Sequence, residues 1–436
     1  MASEWPRVPV AKLIADGDLV INDGYRAKNS ELSKDGLPFA RAQNINGGFH
    51  FEGADRFPED DLHKVGIKIS QPDDVVFTSK GSVGRFALVR PDTPRFVYAP
   101  QLCFWRSANP NRLDPLYLYY WMHSREFFVQ FKGVSGQTDM AEYVSLRDQR
   151  AMHITVPDLR VQHHIADVLG KLDDKIELNR RMNRTLEKMA AAILRSWFID
   201  FDPVHAKAEG RDPNLPAEIA DLFPDSFEES ELGAIPKGWD VKSLDEIADY
   251  LNGLACQKHP PVEGQKSLPV IKIRELRQGI TNNTDRASVD VPPKYIVEDG
   301  DVLFSWSGSL LVSIWSGGRG VLNQHVFKVT SARFPKWYFY QATKHHLDEF
   351  QRIASDKATT MGHIKRHHLT DAKMAIPGDE LMAKGTEVLG TMLERRINAL
   401  KQAHILALTR DTLLPKLLSG EIELPEVEAI VEEVAP

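Results

Sequence analysis

The stretch Ser79-Lys80-Gly81-Ser82-Val83-Gly84-Arg85 is where chemistry would first be sought, because glycines beside lysine and serine can cradle a phosphate. A phosphate loop needs G-x-x-x-x-G-K-[ST], so that backbone N–H groups and the lysine converge on one anion. That spacing is absent, and the stretch reads as a hairpin turn. No G-x-G-x-x-G follows a strand pattern. Pro260-Pro261 and Pro292-Pro293 lack the flanking Asp/Asn and Tyr/Phe with which amino-methyltransferases hold a target nitrogen. No E-x-K occurs, so the metal-binding end of a nuclease site is missing. Asp173-Asp174-Lys175 is a D-x-K, read as a solvated helix face. His363, His367 and His368 lack a metal-ligand partner set and read as exposed or ligand-facing; His163-His164 reads as an exposed pair. No catalytic residue, no metal and no cofactor of the chain's own is expected.

The elements that carry these residues are of two kinds. Residues 170–201 contain no proline, and Leu172, Ile176, Leu186, Ala190, Ile193 and Trp197 recur at threes, fours and their multiples. That is an amphipathic helix leaning toward a coiled coil. A second such stretch, about 381–418, carries Leu393, Ile397, Leu400, His404, Ala407, Asp411, Leu414 and Leu418. Asn179, Asn183, His404 and Asp411 either fix the register of a helix pair or are surface positions. The rest reads as mixed α/β. Val75–Thr78, Phe86–Val89 and Leu102–Trp105 are short strand candidates, as are Val302–Trp306 and Val326–Val329. Aromatic-rich Leu116–Phe131 and Trp337–Phe350 read as buried helices. Residues 202–236, rich in proline and acid, read as a linker with one short helix, and acidic 421–436 as a disordered tail.

The chain of 436 residues is long enough for two or three domains. It has no apolar run long enough for a membrane span, and its N-terminus lacks a signal-peptide core. Two distant cysteines, Cys103 and Cys256, fit a reducing cytoplasm better than a disulfide framework. The net charge is −7, but the acidic excess lies in 156–232 and 377–436. Residues 1–155 are balanced and 233–376 are net basic, so either could carry a local face for a polyanion.

The two kinds of element occur twice. Asp74–Thr78 and Asp301–Ser305 are 227 residues apart, and Leu37–Arg41 and Leu268–Lys272 are 231 apart. Val156-Pro157, Val168–Gly170 and Ile193-Leu194 recur as Ile376-Pro377, Val388–Gly390 and Leu413-Leu414, each 220 residues later. The same order over nearly the whole chain indicates a duplication, each half a mixed domain followed by a helix. The two helices are expected to pack on each other as a spacer, through Leu172, Ile176, Leu186, Ile193 and Trp197 on one and Leu393, Ile397, Leu400, Ala407 and Leu414 on the other.

Leu172–Asn179 (LDDKIELN) with Ser196–Val204 (SWFIDFDPV) resembles the central conserved region of type I restriction–modification specificity (S) subunits. Ile235-Pro236-Lys237-Gly238-Trp239 resembles the opening of their second target-recognition domain, and Leu414–Ile422 their distal conserved region. The resemblance implies two target-recognition domains, 1–155 and 237–376. It also implies a central conserved helix over 156–201, a linker over 202–236, a distal conserved helix over 377–420 and a tail over 421–436. The helices would form an antiparallel spacer with pseudo-twofold symmetry. It further implies double-stranded DNA as ligand, a bipartite target, and two adenine methyltransferase (M) subunits and restriction (R) subunits as partners. S-adenosylmethionine, ATP and magnesium would belong to those partners.

Base-reading residues do not transfer between members, so candidates come from chemistry: polar and basic side chains on loops beside strands, Arg favouring guanine and Asn or Gln adenine. They are Arg41, Gln43, Asn44, Lys80, Ser82 and Arg85 in the first half. In the second they are Lys272, Arg274, Arg277, Ser307, Ser309, Lys365 and Arg366. The lysines suit phosphates more than bases. Two rival readings are a self-contained DNA-modifying enzyme with undetected motifs, which would transfer methyl groups unaided, and a coiled-coil adaptor, which would show no salt-sensitive DNA retention.

Overall fold

The computed structural model describes residues 5–80, 84–135, 143–356, 362–422 and 427. Two compact units result: residues 1–175 with 406–436, and residues 176–405. The boundary between the units falls within the long helices.

The described strands of the first unit are β1 (Arg7–Pro9), β2 (Leu19–Asp23), β3 (Leu37–Ala40), β4 (Arg56–Phe57), β5 (Val75–Thr78), β6 (Phe86–Leu88), β7 (Val97–Tyr98), β8 (Leu102–Ser107) and β9 (His153–Thr155). An antiparallel sheet has the order β2-β8-β5-β6, a second sheet the order β4-β3-β7, and β1 pairs with β9. The apolar run of β5 is buried on all four residues, as a strand covered on both faces requires.

The second unit repeats this. After a hairpin of β10 (Phe227–Ser230) and β11 (Gly233–Pro236) come β12 (Asp240–Ser243), β13 (Asp249–Asn252), β14 (Ser267–Ile271), β15 (Arg286–Ser288), β16 (Ile296–Val297), β17 (Val302–Ser305), β18 (Leu311–Ile314), β19 (Gly320–Leu322), β20 (Val326–Thr330) and β21 (Lys373–Ile376). The sheet orders are β13-β20-β17-β18, β15-β14-β19-β16 and β12-β21. Register agrees as well. Phe77 lies opposite Phe86 and Cys103, and its equivalent Phe304 opposite Val312 and Phe327.

One close approach is also duplicated. A Cβ on Gly24 would sit 2.0 Å from the Ala99 carbonyl oxygen, and one on Gly253 2.3 Å from that of Asn323. Only glycine lets the chain leave β2 or β13 against the loop before β8 or β20.

The aromatic segments are helical but broken. Leu116–Phe131 becomes Pro115–Trp121 and Arg125–Ser135, because the Ser124 hydroxyl accepts from Phe127 N (3.1 Å) and starts a new helix. Trp337–Phe350 becomes Lys336–His345 and Leu347–Asp356. The stretch 202–236 is not an open linker. It forms helices Asp202–Ala208 and Ala217–Ala220 and the β10–β11 hairpin, and Val204, Ile219, Phe223 and Ile235 enter the core of the second unit. Those apolar residues, scattered among acids and prolines, carry no period by which sequence could mark them as core. Of the tail, 423–426 and 428–436 lie outside the described residues.

The first long helix runs Leu159–Leu194 and ends in a π-turn, Arg195–Ile199. The second is preceded by helix Asp379–Gly385 and a π-turn, Thr386–Gly390, and runs Thr391–Ser419. In the second unit Asn179 Nδ2 donates to Gln402 Oε1 (3.0 Å) and Glu187 pairs with Arg396, so the helices run antiparallel there. Asn179 and Asn183 are buried members of the pair, whereas Asp411 is exposed and paired with Arg410.

Leu172, Ile176, Trp197, Leu393 and Ile397 are buried. Leu186, Ile193, Leu400, Ala407 and Leu414 are half-buried, and Leu406, Leu413 and Leu417 are the buried residues nearest the last two. The stripe drawn through the second helix is thus off by one residue in its C-terminal part. The helix buries more than one face: Leu389, Leu393 and Ile397 join the second unit's core, so one heptad frame cannot describe it. Asp173, expected on a solvated face, accepts from the Tyr120 hydroxyl (2.8 Å) and pairs with Arg410 (2.6 Å).

Candidate nucleic-acid interface

Two runs of the candidates, 41–44 and 272–277, lie where β3 and β14 end. Each of these strands pairs in parallel with a neighbour, β7 or β19, and delivers a cation just past its last residue. In the first unit this is Arg41. Its backbone N–H donates to Asn44 Oδ1 (2.8 Å), and Asn44 Nδ2 donates to the His50 carbonyl (2.8 Å). Asn44 is buried and its side-chain amide holds the turn, where an outward-facing loop residue was expected. The Arg41 guanidinium lies over the Phe39 ring and pairs with Asp55 at 2.8 Å. Exposed Arg85, just before β6, donates to the Ala42 carbonyl (3.3 Å), which brings it beside Arg41 and exposed Gln43. Lys80 is exposed at the end of β5, bridged through its backbone to Tyr143. Ser82 lies outside the described residues.

In the second unit the corresponding cation is Lys272. Its N–H donates to Glu275 Oε2 (3.2 Å), and its ammonium pairs with Asp285. The ammonium holds the Asp285 carboxyl below the ordinary aspartate range. Glu275 is buried and is satisfied by Arg274 (2.8 Å) and by the Thr284 hydroxyl (3.1 Å). Arg274 therefore neutralises an interior carboxylate first, and both it and Arg277 on the same short helix are exposed. Ser307 is buried with its hydroxyl on His325 Nδ1 (3.0 Å), so it orients a neighbour and does not face outward as expected. Ser309 and Lys365 are exposed. Arg366 donates to the Tyr250 carbonyl (3.2 Å) and covers the Phe327 ring. Among the histidines, His368 is buried and accepts from Lys365 N (3.1 Å), which corrects its reading as exposed or ligand-facing.

A cleft of about 470 Å³ opens beside Lys272 and Asp285, lined further by Pro260, Arg286, Asn323, Gln324 and His325. The last three fill the turn between β19 and β20. Sequence reasoning missed them because it sought turns marked by glycine. The signal was there: a polar triplet between two short apolar runs. Asp55 and Asp285 were passed over because acids are not sought on a polyanion-binding face. Among the described residues no group of histidine, cysteine and carboxylate side chains could hold a metal ion, and no helix is long and apolar enough to cross a membrane.

The family profile of the type I restriction modification DNA specificity domain matches residues 17–188 and 236–402, one match for each repeat. The chain belongs to that family. The specificity subunit of the type I restriction enzyme HindI from Haemophilus influenzae is 22% identical over 78% of this chain and 84% of its own length. That of MjaIX from Methanocaldococcus jannaschii is 27% identical over 71% of this chain and 70% of its own. A crystal structure of a type I restriction–modification S subunit from M. genitalium superposes with a TM-score of 0.56 at 15% identity, covering 95% of this chain and 96% of that one. The chain is a DNA specificity subunit: its task is target recognition within a restriction–modification assembly.

Proposed function

We propose that the two strand-end faces, around Arg41 and around Lys272, each read one half of a bipartite double-stranded target. The observation that carries this is the duplication itself: two units of the same sheet order present a cation, a capped turn and a neighbouring aspartate at the same place. Arg41, Gln43, Lys80 and Arg85 form the first contact set, and Arg277, Ser309, Lys365 and Arg366 join Lys272 in the second. The partners are two adenine-specific methyltransferase subunits and the restriction subunits, which bring S-adenosylmethionine, ATP and magnesium. Leu178, Met182 and Met189, spaced along one exposed face of the first long helix, are proposed as a seat for a methyltransferase subunit.

The experiment is an exchange of residues 1–155 for the equivalent domain of another family member, read by methylome sequencing of cells carrying the methyltransferase partner. One half of the methylated target should change and the other should stay. Loss of both halves in a folded, partner-binding chimera would count against separate readers. Methyl transfer by the chain alone, given DNA and S-adenosylmethionine, would sink the non-catalytic reading.

A further inference from the structure

We infer that the duplicated cation–aspartate pairs, Arg41–Asp55 and Lys272–Asp285, each read a G·C base pair through the major groove. This rests on the proposed reading of the strand-end faces and adds the residues and the base pair.

The two halves have diverged between these positions: Ala42–Ala54 and Ile273–Thr284 share little. What persists is a frame. Phe39 N donates to the Asp55 carbonyl and Val270 N to the Asp285 carbonyl, both at 2.8 Å. The backbone N–H of each cation is capped by a side chain three residues on, Asn44 or Glu275. Each aspartate directly precedes an edge strand, β4 or β15. The frame fixes a cation and a carboxylate side by side in both units.

Stability does not explain keeping them. Side-chain exposure is 38% and 46% for Arg41 and Asp55, and 41% and 62% for Lys272 and Asp285. Pairs this open add little to stability, because solvent screens them. Phosphate binding does not explain the aspartates either, since a carboxylate beside the cation repels a phosphate. The major-groove edge of a G·C pair does call for both. Guanine offers N7 and O6 as acceptors to the cation, and cytosine offers its N4 amino group as donor to the carboxylate. An A·T pair also offers a donor, adenine N6, to a carboxylate, but only guanine sets two adjacent acceptors, N7 and O6, before the cation. Arg41 can grip guanine with two donors whereas Lys272 offers a point charge, so discrimination should be sharper in the first half.

The test uses the full chain assembled with its methyltransferase partner, as wild type, Asp55→Ala and Asp285→Ala. The readouts are methylome sequencing, DNA affinity and its salt dependence. Asp55→Ala should relax one G·C position in one half-site, with roughly 5- to 150-fold lost discrimination, and leave the other half unchanged. Asp285→Ala should do the same in the other half, with salt slopes as in wild type. An unchanged target with tighter binding and a salt slope steeper by about one would make the cations phosphate contacts and overturn the inference. An unchanged target with a lowered melting temperature would make the pairs structural, which also overturns it. A wild-type half-site without any G·C pair overturns it for that half. If the wild-type complex methylates no two-part target, the underlying functional reading fails instead, and that outcome is read before either variant.

Discussion

Glu187→Gln should be among the most damaging single changes on the first long helix. In the second unit Glu187 accepts from the Tyr340 hydroxyl (3.0 Å) and pairs with both Lys344 and Arg396. The Arg396 side chain is only 10% exposed, and burial holds its guanidinium down at about 10. It therefore remains charged at pH 7, and removing the carboxylate leaves that charge without its counter-ion. Breaking a buried pair from one side costs about 3–5 kcal/mol. Lys344 is 34% exposed and can turn to solvent, which argues for the lower end, about 3 kcal/mol. For a unit of this size each kcal/mol moves the midpoint by about 2–4 °C, so the unit should melt about 6–12 °C lower. Thermal unfolding of the full chain, with hydrogen exchange on the Lys336–His345 helix to identify the unit, measures this. Replacing Glu187, Lys344 and Arg396 together with Leu, Met and Met should recover most of the loss, because no charge is then left buried. A shift below about 2 °C for Glu187→Gln, or additivity of Glu187→Gln with Arg396→Met, would refute the reasoning.

Gly24→Ala and Gly253→Ala should each disorder the unit that contains the residue, because the added Cβ meets a backbone carbonyl that cannot yield; limited proteolysis should cut near the mutated unit and spare the other. Tyr120→Phe should cost about 1–2 kcal/mol in denaturant unfolding, since Asp173 keeps Arg410 but loses a buried hydroxyl donor. Leu178→Asp with Met182→Asp should leave melting unchanged, both sites being exposed, and abolish co-elution with the methyltransferase partner. Ser307→Ala should remove one of the two side-chain hydrogen bonds on the His325 ring and weaken binding through one half-site only, measured by competition between half-site variants.

The five expected strands, the duplication and the two long helices were legible because each rests on periodicity or on a motif that survives in both halves. Val75–Thr78 was placed to the residue, since a short buried run bounded by turn signals has few other solutions. The segment 202–236 was not legible: its fold depends on Trp197, Phe198 and Trp239, which no local pattern links to it. The layout of the candidate faces was half legible. Arg41, Gln43, Arg85 and Lys272 were found as cations or amides beside strands. Asn44 and Ser307 were expected to face outward and are buried, because a polar residue near a strand end can equally be the one that holds the turn. Burial separates the two cases, and burial of a loop residue is set by distant chain.

The duplication also shows what such a fold must keep and what it can vary. Tyr120 and Tyr340 are 220 residues apart, the same interval as the helix motifs. In the first unit Tyr120 donates to Asp173 of the first long helix, which pairs with Arg410 of the second. In the second unit Tyr340 donates to Glu187 of the first helix, which pairs with Arg396 of the second. The tyrosines are equivalent, but the charged partners are not, because both carboxylates lie on the first helix and both guanidiniums on the second. Applying the 220-residue interval puts Ala190 where Arg410 stands and Ile176 where Arg396 stands. Two copies of the first helix paired in the same register would bury aspartate with no cation, and two copies of the second would bury arginine with no carboxylate. The sheets needed only to preserve their order after duplication, whereas the helices became complementary, so that each now satisfies the other's buried charge.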